Sequence, residues 1–106
     1  MHPPVQSKAE VVARLQAEAP ALRALGVARL GLFGSFVRDE ATATSDVDVL
    51  VDFEDGRKTF RNYFLILDHL EALLGRDVEI LTRAGLSRYI GPHILATTEN
   101  VFPPTD

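Results

Sequence analysis

Two short runs of the chain hold the residues best suited to chemistry. Gly34-Ser35 closes an apolar stretch, and ten residues later come Asp46-Val47-Asp48. Glycine lets a backbone approach a ligand closely. A serine at the start of a helical turn offers a hydroxyl and an amide where free N–H groups favour anions. Arg38, one turn further on, can neutralise a phosphate. No Gly-Lys-Ser/Thr follows, so this is not a Walker A loop.

The carboxylates supply the other half. Residues two apart on a strand share a face, so Asp46 and Asp48 would stand ~6.6 Å apart along it. Leaning side chains can then meet around one cation. Two ionised carboxylates at ~4 Å repel by ~4 kcal/mol at an effective dielectric of about 20, which a cation relieves. Oxygen-only ligation, with no cysteine and no paired histidines, suits Mg²⁺ or Mn²⁺ rather than zinc. By the same parity Asp77 and Glu79 share a face of a later strand. If that strand lies beside Asp48, Glu79 completes a three-carboxylate site. Such a site can hold two metals and stabilise the attacking and leaving oxygens of a phosphoryl or nucleotidyl transfer. A lone Gly-Ser turn is usually just a turn, and a lone Asp-x-Asp is usually structural. The order strand, Gly-Ser, gap, Asp-x-Asp, later carboxylate is what raises them above that.

The elements around these residues read as follows. Ser7-Lys8-Ala9-Glu10 is a capping box, predicting a helix near 8–18, with a short second helix near 20–25 that Pro20 can open and Gly26 ends. Val27 to Phe33 is a buried strand, and a helical turn is expected around 36–40. From Asp46 to Phe53 the pattern alternates: Val47, Val49, Val51 and Phe53 point one way, and Asp46, Asp48, Leu50 and Asp52 the other. Asp52 is expected to be solvated. Glu54-Asp55-Gly56 is a turn. Phe60, Phe64, Leu67, Leu70 and Leu74 mark a long amphipathic helix stopped by Gly75, with those side chains in the core. Val78 to Leu81 is a third strand, and Pro92 opens a last short helix bearing Ile94 and Leu95. The fold class is α/β, an α+β two-layer domain with a small mixed sheet and flanking helices.

Length and composition set the frame. The 106 residues fit one domain, 1–106, with loose termini at 1–6 and 103–106. A net charge of −4 argues against a general nucleic-acid binder. The lack of cysteine excludes disulfides, thiolate metal sites and cysteine nucleophiles. No apolar run reaches the ~20 residues that span a bilayer. The expectation is a soluble cytoplasmic chain. His2, His69 and His93 are isolated. Arg57, Lys58 and Arg61 form a basic cluster at the start of the long helix, by default a solvated face.

Leu32-Phe33-Gly34-Ser35-Phe36-Val37-Arg38 with Ser45-Asp46-Val47-Asp48-Val49-Leu50-Val51 resembles the signature of the polymerase-β-type nucleotidyltransferases. More narrowly, the chain resembles the minimal nucleotidyltransferase antitoxins of HEPN–MNT toxin–antitoxin pairs, from about Val27 to Phe102. The resemblance implies transfer of AMP from ATP to a tyrosine of the partner HEPN ribonuclease toxin, which inactivates it. It implies Gly34 and Ser35 as holders of the triphosphate and Arg38 as an auxiliary phosphate contact. Asp46, Asp48 and Glu79 become Mg²⁺ ligands and catalytic residues, with Glu79 helping to deprotonate the acceptor. Two Mg²⁺ ions are expected. The chain has Glu79 where the family more often has Asp, and the added methylene would shift the second metal site. The alternative is a non-catalytic antitoxin that binds and occludes its toxin. A nucleotidyltransferase acting on a small molecule or an RNA end would usually need a further substrate-binding domain.

Overall fold

The computed structural model describes residues 3–102. Two helices come first, α1 (Lys8–Ala17) and α2 (Ala19–Ala24), followed by β1 (Val27–Phe33). A 3-10 turn over Gly34–Phe36 leads by a loop to β2 (Val47–Phe53), then α3 (Phe60–Leu74) and β3 (Val78–Leu81). A second 3-10 turn at Arg83–Gly85 precedes α4 (Gly91–Thr97) and β4 (Glu99–Phe102). The sheet order is β3-β2-β1-β4. β2 pairs antiparallel with β1 and parallel with β3, and β4 lies antiparallel on the other side of β1.

Local chemistry sets the helix ends. Ser7 Oγ accepts the Glu10 amide at 3.2 Å, and Glu10 Oε1 accepts the amide of Gln6 rather than that of Ser7. Thr59 caps α3 by accepting the Asn62 amide at 3.1 Å, and Gly75 ends it in the left-handed region at φ 68°. Asp39 Oδ1 accepts the amide of Lys8, so the loop after the first 3-10 turn is tied to the start of α1.

The alternation in β2 gives the sheet two unlike faces. Val47, Val49 and Val51 are wholly buried on one of them. They align in register with Leu32 and Leu30 of β1 and with Val78 and Ile80 of β3. Val11, Leu15, Leu22, Ile66, Leu70 and Leu74 join the same core from the helices. The opposite face carries Phe33, Asp48 and Glu79 in one row, and Gly31, Leu50 and Leu81 in the next. The end of α4 lies over this second face, since a Cβ at Gly31 would run into the Thr98 methyl.

Four expectations change. The 3-10 turn begins at Gly34 itself rather than at residue 36. β4 was not anticipated, because Glu99-Asn100-Val101-Phe102 is too short for a pattern; it pairs because Val101 and Phe102 bury against the core. Phe60 and Phe64 are not core: they are 86% and 56% exposed, while Ile66, Leu70, Leu73 and Leu74 form the buried stripe of α3. Pro3 to Gln6 is not loose. Val5 is fully buried, its amide donates to the Leu74 carbonyl at 2.9 Å, and Pro3 and Val5 carbonyls accept from Arg14 and Arg76. Residues 1–2 and 103–106 lie outside the described residues. Among the described residues, no helix is long and apolar enough to cross a membrane.

Candidate active site

Pairing of β2 with β3 sets Asp48 directly beside Glu79. Both project from the sheet face opposite α1, α2 and α3, Asp48 half-buried and Glu79 exposed. Asp48 rises from its ordinary 3.8 to about 6. Burial is the main cause, followed by a side-chain hydrogen bond to Glu79 and the negative charges of Glu79 and Asp46; the Arg38 guanidinium pulls the other way. A cation between the two carboxylates would relieve that opposition to ionisation.

Gly34 explains how Asp48 is held. It sits at φ 78°, and a Cβ there would collide with the Asp48 carboxylate. No other residue type both tolerates that backbone and leaves Asp48 its space. Next to it, Ser35 lies in the 3-10 turn, and its carbonyl accepts the Glu40 amide at 2.9 Å, which closes the loop. Phe36 is fully buried beneath the turn and anchors it. Arg38 is exposed and ion-paired with Glu40 at 3.2 Å, close enough to act on Asp48 through its charge.

Asp46 stands one residue before the first residue of β2 and is exposed. It touches Asp48 through its charge, and no group of three His, Asp or Glu side chains among the described residues converges as a ready ligand set. The sequence expectation of three gathered carboxylates is therefore met for Asp48 and Glu79 and not for Asp46. The cause is electrostatic: a third carboxylate gains nothing by closing on an acidic pair until a positive charge arrives. The donor set fits such a charge. It is all oxygen, and it includes a carboxyl held above its normal range by burial and by its acidic neighbours. Asp46 also lines an open cleft of about 530 Å³ with Ser45, Arg76 and Asp77.

Arg76 is the residue that sequence reasoning missed. Its Nε donates to the Val5 carbonyl at 2.7 Å, and Nη1 donates to the carbonyls of Thr42 and Ser45 at 2.8 and 2.9 Å. The guanidinium also lies over the Phe36 ring, 5.0 Å from its centre. One side chain therefore ties together the loop that delivers Asp46, the turn that carries Ser35 and the segment before α1. Its only sequence signal was an arginine between the helix-ending glycine and the third strand. Asp52, expected to be solvated, is instead gripped by Arg83 Nε at 3.1 Å to both oxygens, with Arg29 at 3.7 Å. That pairing takes it out of any ligand set. His69 has a partner too, with Nε2 2.9 Å from Glu18 Oε2.

A strand–turn–strand unit that packs a glycine on a paired carboxylate, within a small mixed sheet backed by helices, defines an enzyme of nucleotidyl transfer. The chain belongs to the Nucleotidyltransferase domain family, which matches residues 14–102. It is 41% identical over 70 residues to a Thermococcus cleftensis protein named protein adenylyltransferase MntA, covering 66% of this chain and 70% of that one. A solved minimal nucleotidyltransferase superposes with a TM-score of 0.77 at 33% identity, covering 88% of this chain and 94% of the other. A toxin–antitoxin structure crystallised with AMP-PNP shares the fold, with a TM-score of 0.64 at 16% identity over 92% of this chain and 74% of its own.

Proposed function

We propose that this chain is a cytoplasmic protein adenylyltransferase antitoxin. It transfers AMP from ATP to a tyrosine of a cognate HEPN ribonuclease toxin and so inactivates that toxin. The observation that carries the reading is the Gly34 backbone set against Asp48, with Asp48 paired to Glu79 across β2 and β3. The relative named protein adenylyltransferase MntA supports the choice of a protein as acceptor.

In this reading Asp46, Asp48 and Glu79 would hold Mg²⁺, two ions where all three ligate. Bound there, the metal would neutralise charge on the triphosphate and on the departing pyrophosphate. Gly34 and Ser35 present backbone N–H groups to the phosphates, and Arg38 adds a positive charge at their edge. The tyrosine oxygen forms a bond to the α-phosphorus as the bond to pyrophosphate breaks, and the phenolic proton passes to Glu79. Little covalent work falls to the protein, so the rate comes from positioning.

The test is incubation with labelled ATP, Mg²⁺ and the cognate toxin, which should label the toxin. Asp46→Asn with Asp48→Asn should abolish labelling while leaving the chain folded. A toxin that binds wild-type protein and stays unlabelled removes the catalytic claim. The second reading is an antitoxin that acts by occlusion, and its ground is Glu79, which stands where the resembled family more often has Asp. In that case the double variant would still neutralise the toxin.

A further inference from the structure

The start of α3 combines two features that a lone folded chain does not need. Phe60 is 86% exposed, Phe64 56% and Leu65 40%, in an element whose other apolar residues are largely buried. A single exposed apolar side chain is ordinary; a contiguous aromatic cluster marks a surface meant to be covered. Tyr63 stacks edge-on against Phe64 with ring centres 5.4 Å apart, so the cluster is pre-ordered. Lys58, Thr59, Phe60, Tyr63 and Phe64 line a groove of about 440 Å³ between them.

The second feature is charge. Of the basic residues Arg57, Lys58 and Arg61, Lys58 lines this groove and Arg61 follows Phe60 in α3, while Arg57 packs against Gly26. Arg57 spends one nitrogen on the Ala24 carbonyl at 2.8 Å. Lys58 and Arg61 form no ion pair with any described residue. In a chain of net charge −4, unpaired cations beside exposed aromatic rings are a local reversal of sign.

We infer that the groove at the start of α3 docks an acidic amphipathic segment of a partner protein. The apolar face of that segment would cover Phe60 and Phe64, and its flanking carboxylates would pair with Lys58 and Arg61. Charge selects this occupant. A two-fold pairing of two copies through the groove would set Lys58 and Arg61 against themselves. RNA would meet two unpaired cations here and repulsion from the acidic remainder of the chain. The site is separate from the catalytic one. α3 has 15 residues, about 22 Å at ~1.5 Å each, and it is its far end that leads into β3 and Glu79. The inference stands whether or not the chain transfers AMP.

The probe is a fluorescein-labelled helical peptide with leucine on one face and glutamate on the other, followed by fluorescence anisotropy. Saturable binding is expected, weakened about tenfold or more by Phe60→Ser with Phe64→Ser, which touches no buried position. A matching leucine–lysine peptide should bind about tenfold more weakly, and Lys58→Glu with Arg61→Glu should reverse that preference. If the serine variant fails to fold, judged by circular dichroism, the charge-reversal variant decides alone. Four results would overturn the inference: no binding of the glutamate peptide, equal affinity for both peptides, tighter binding of a single-stranded RNA, or dimerisation of the chain that the serine variant abolishes.

Discussion

Asp48 is an acid whose neighbours oppose its ionisation. Its folded value of about 6 exceeds the ordinary 3.8, so the folded chain binds its proton more tightly than the unfolded chain. Metal-free protein therefore has this contribution to stability in full below about pH 4 and loses it as the pH rises through about 6. Thermal melts in chelator across that window should show a falling melting temperature, and Asp48→Asn should flatten the profile. A profile unchanged by the substitution would mean that Asp48 is not the group that titrates. Gly34 belongs to the same scale. It was picked out for close approach to a ligand, and it proves to serve the carboxylate first, because its missing side chain is the space Asp48 fills.

At the scale of elements, the site depends on how a loop is tied to its strands. Arg76 links three segments, and Arg76→Ala frees the carbonyls of Val5, Thr42 and Ser45 together. A loss of about 2–4 kcal/mol in urea denaturation is expected, since hydrogen bonds to charged groups contribute more than neutral ones. Arg76→Lys should recover less than half, as a single ammonium cannot reproduce the planar fork. The nucleotidyl-transfer rate should fall with the alanine variant even where the protein is fully folded. The bond set behind this was illegible in the sequence because every acceptor is a backbone carbonyl, and carbonyls carry no residue identity. The β2 alternation was legible because burial on one face enforces it residue by residue. So was the Asp48–Glu79 pairing, once β3 was taken to lie beside β2. The α3 stripe was misread at its first turn. Phe60 and Phe64 fit helical spacing, yet the core begins with Ile66, because the first turn extends beyond what the sheet covers. β4 escaped notice because four residues give no period, and its place is decided by the open edge of β1.

For the whole molecule, the core and the chemistry lie on opposite sides of one sheet. Helices bury Val47, Val49 and Val51 on one side, and the same strand offers Asp48 on the other. The sheet ends in β3 on one flank, a strand of four residues paired only with β2. Glu79 rides on that strand, so half of the acid pair belongs to the margin of the sheet while Asp48 belongs to its middle. Marginal strands fray before central ones, opening locally without global unfolding. Backbone amides of Glu79 to Leu81 should exchange with solvent faster than those of Val49 to Val51, and nucleotidyl transfer should fade on warming before the fold melts. Equal exchange in both strands would refute this. Heat would then switch the protein off by parting two acids, with the fold that carries them still standing.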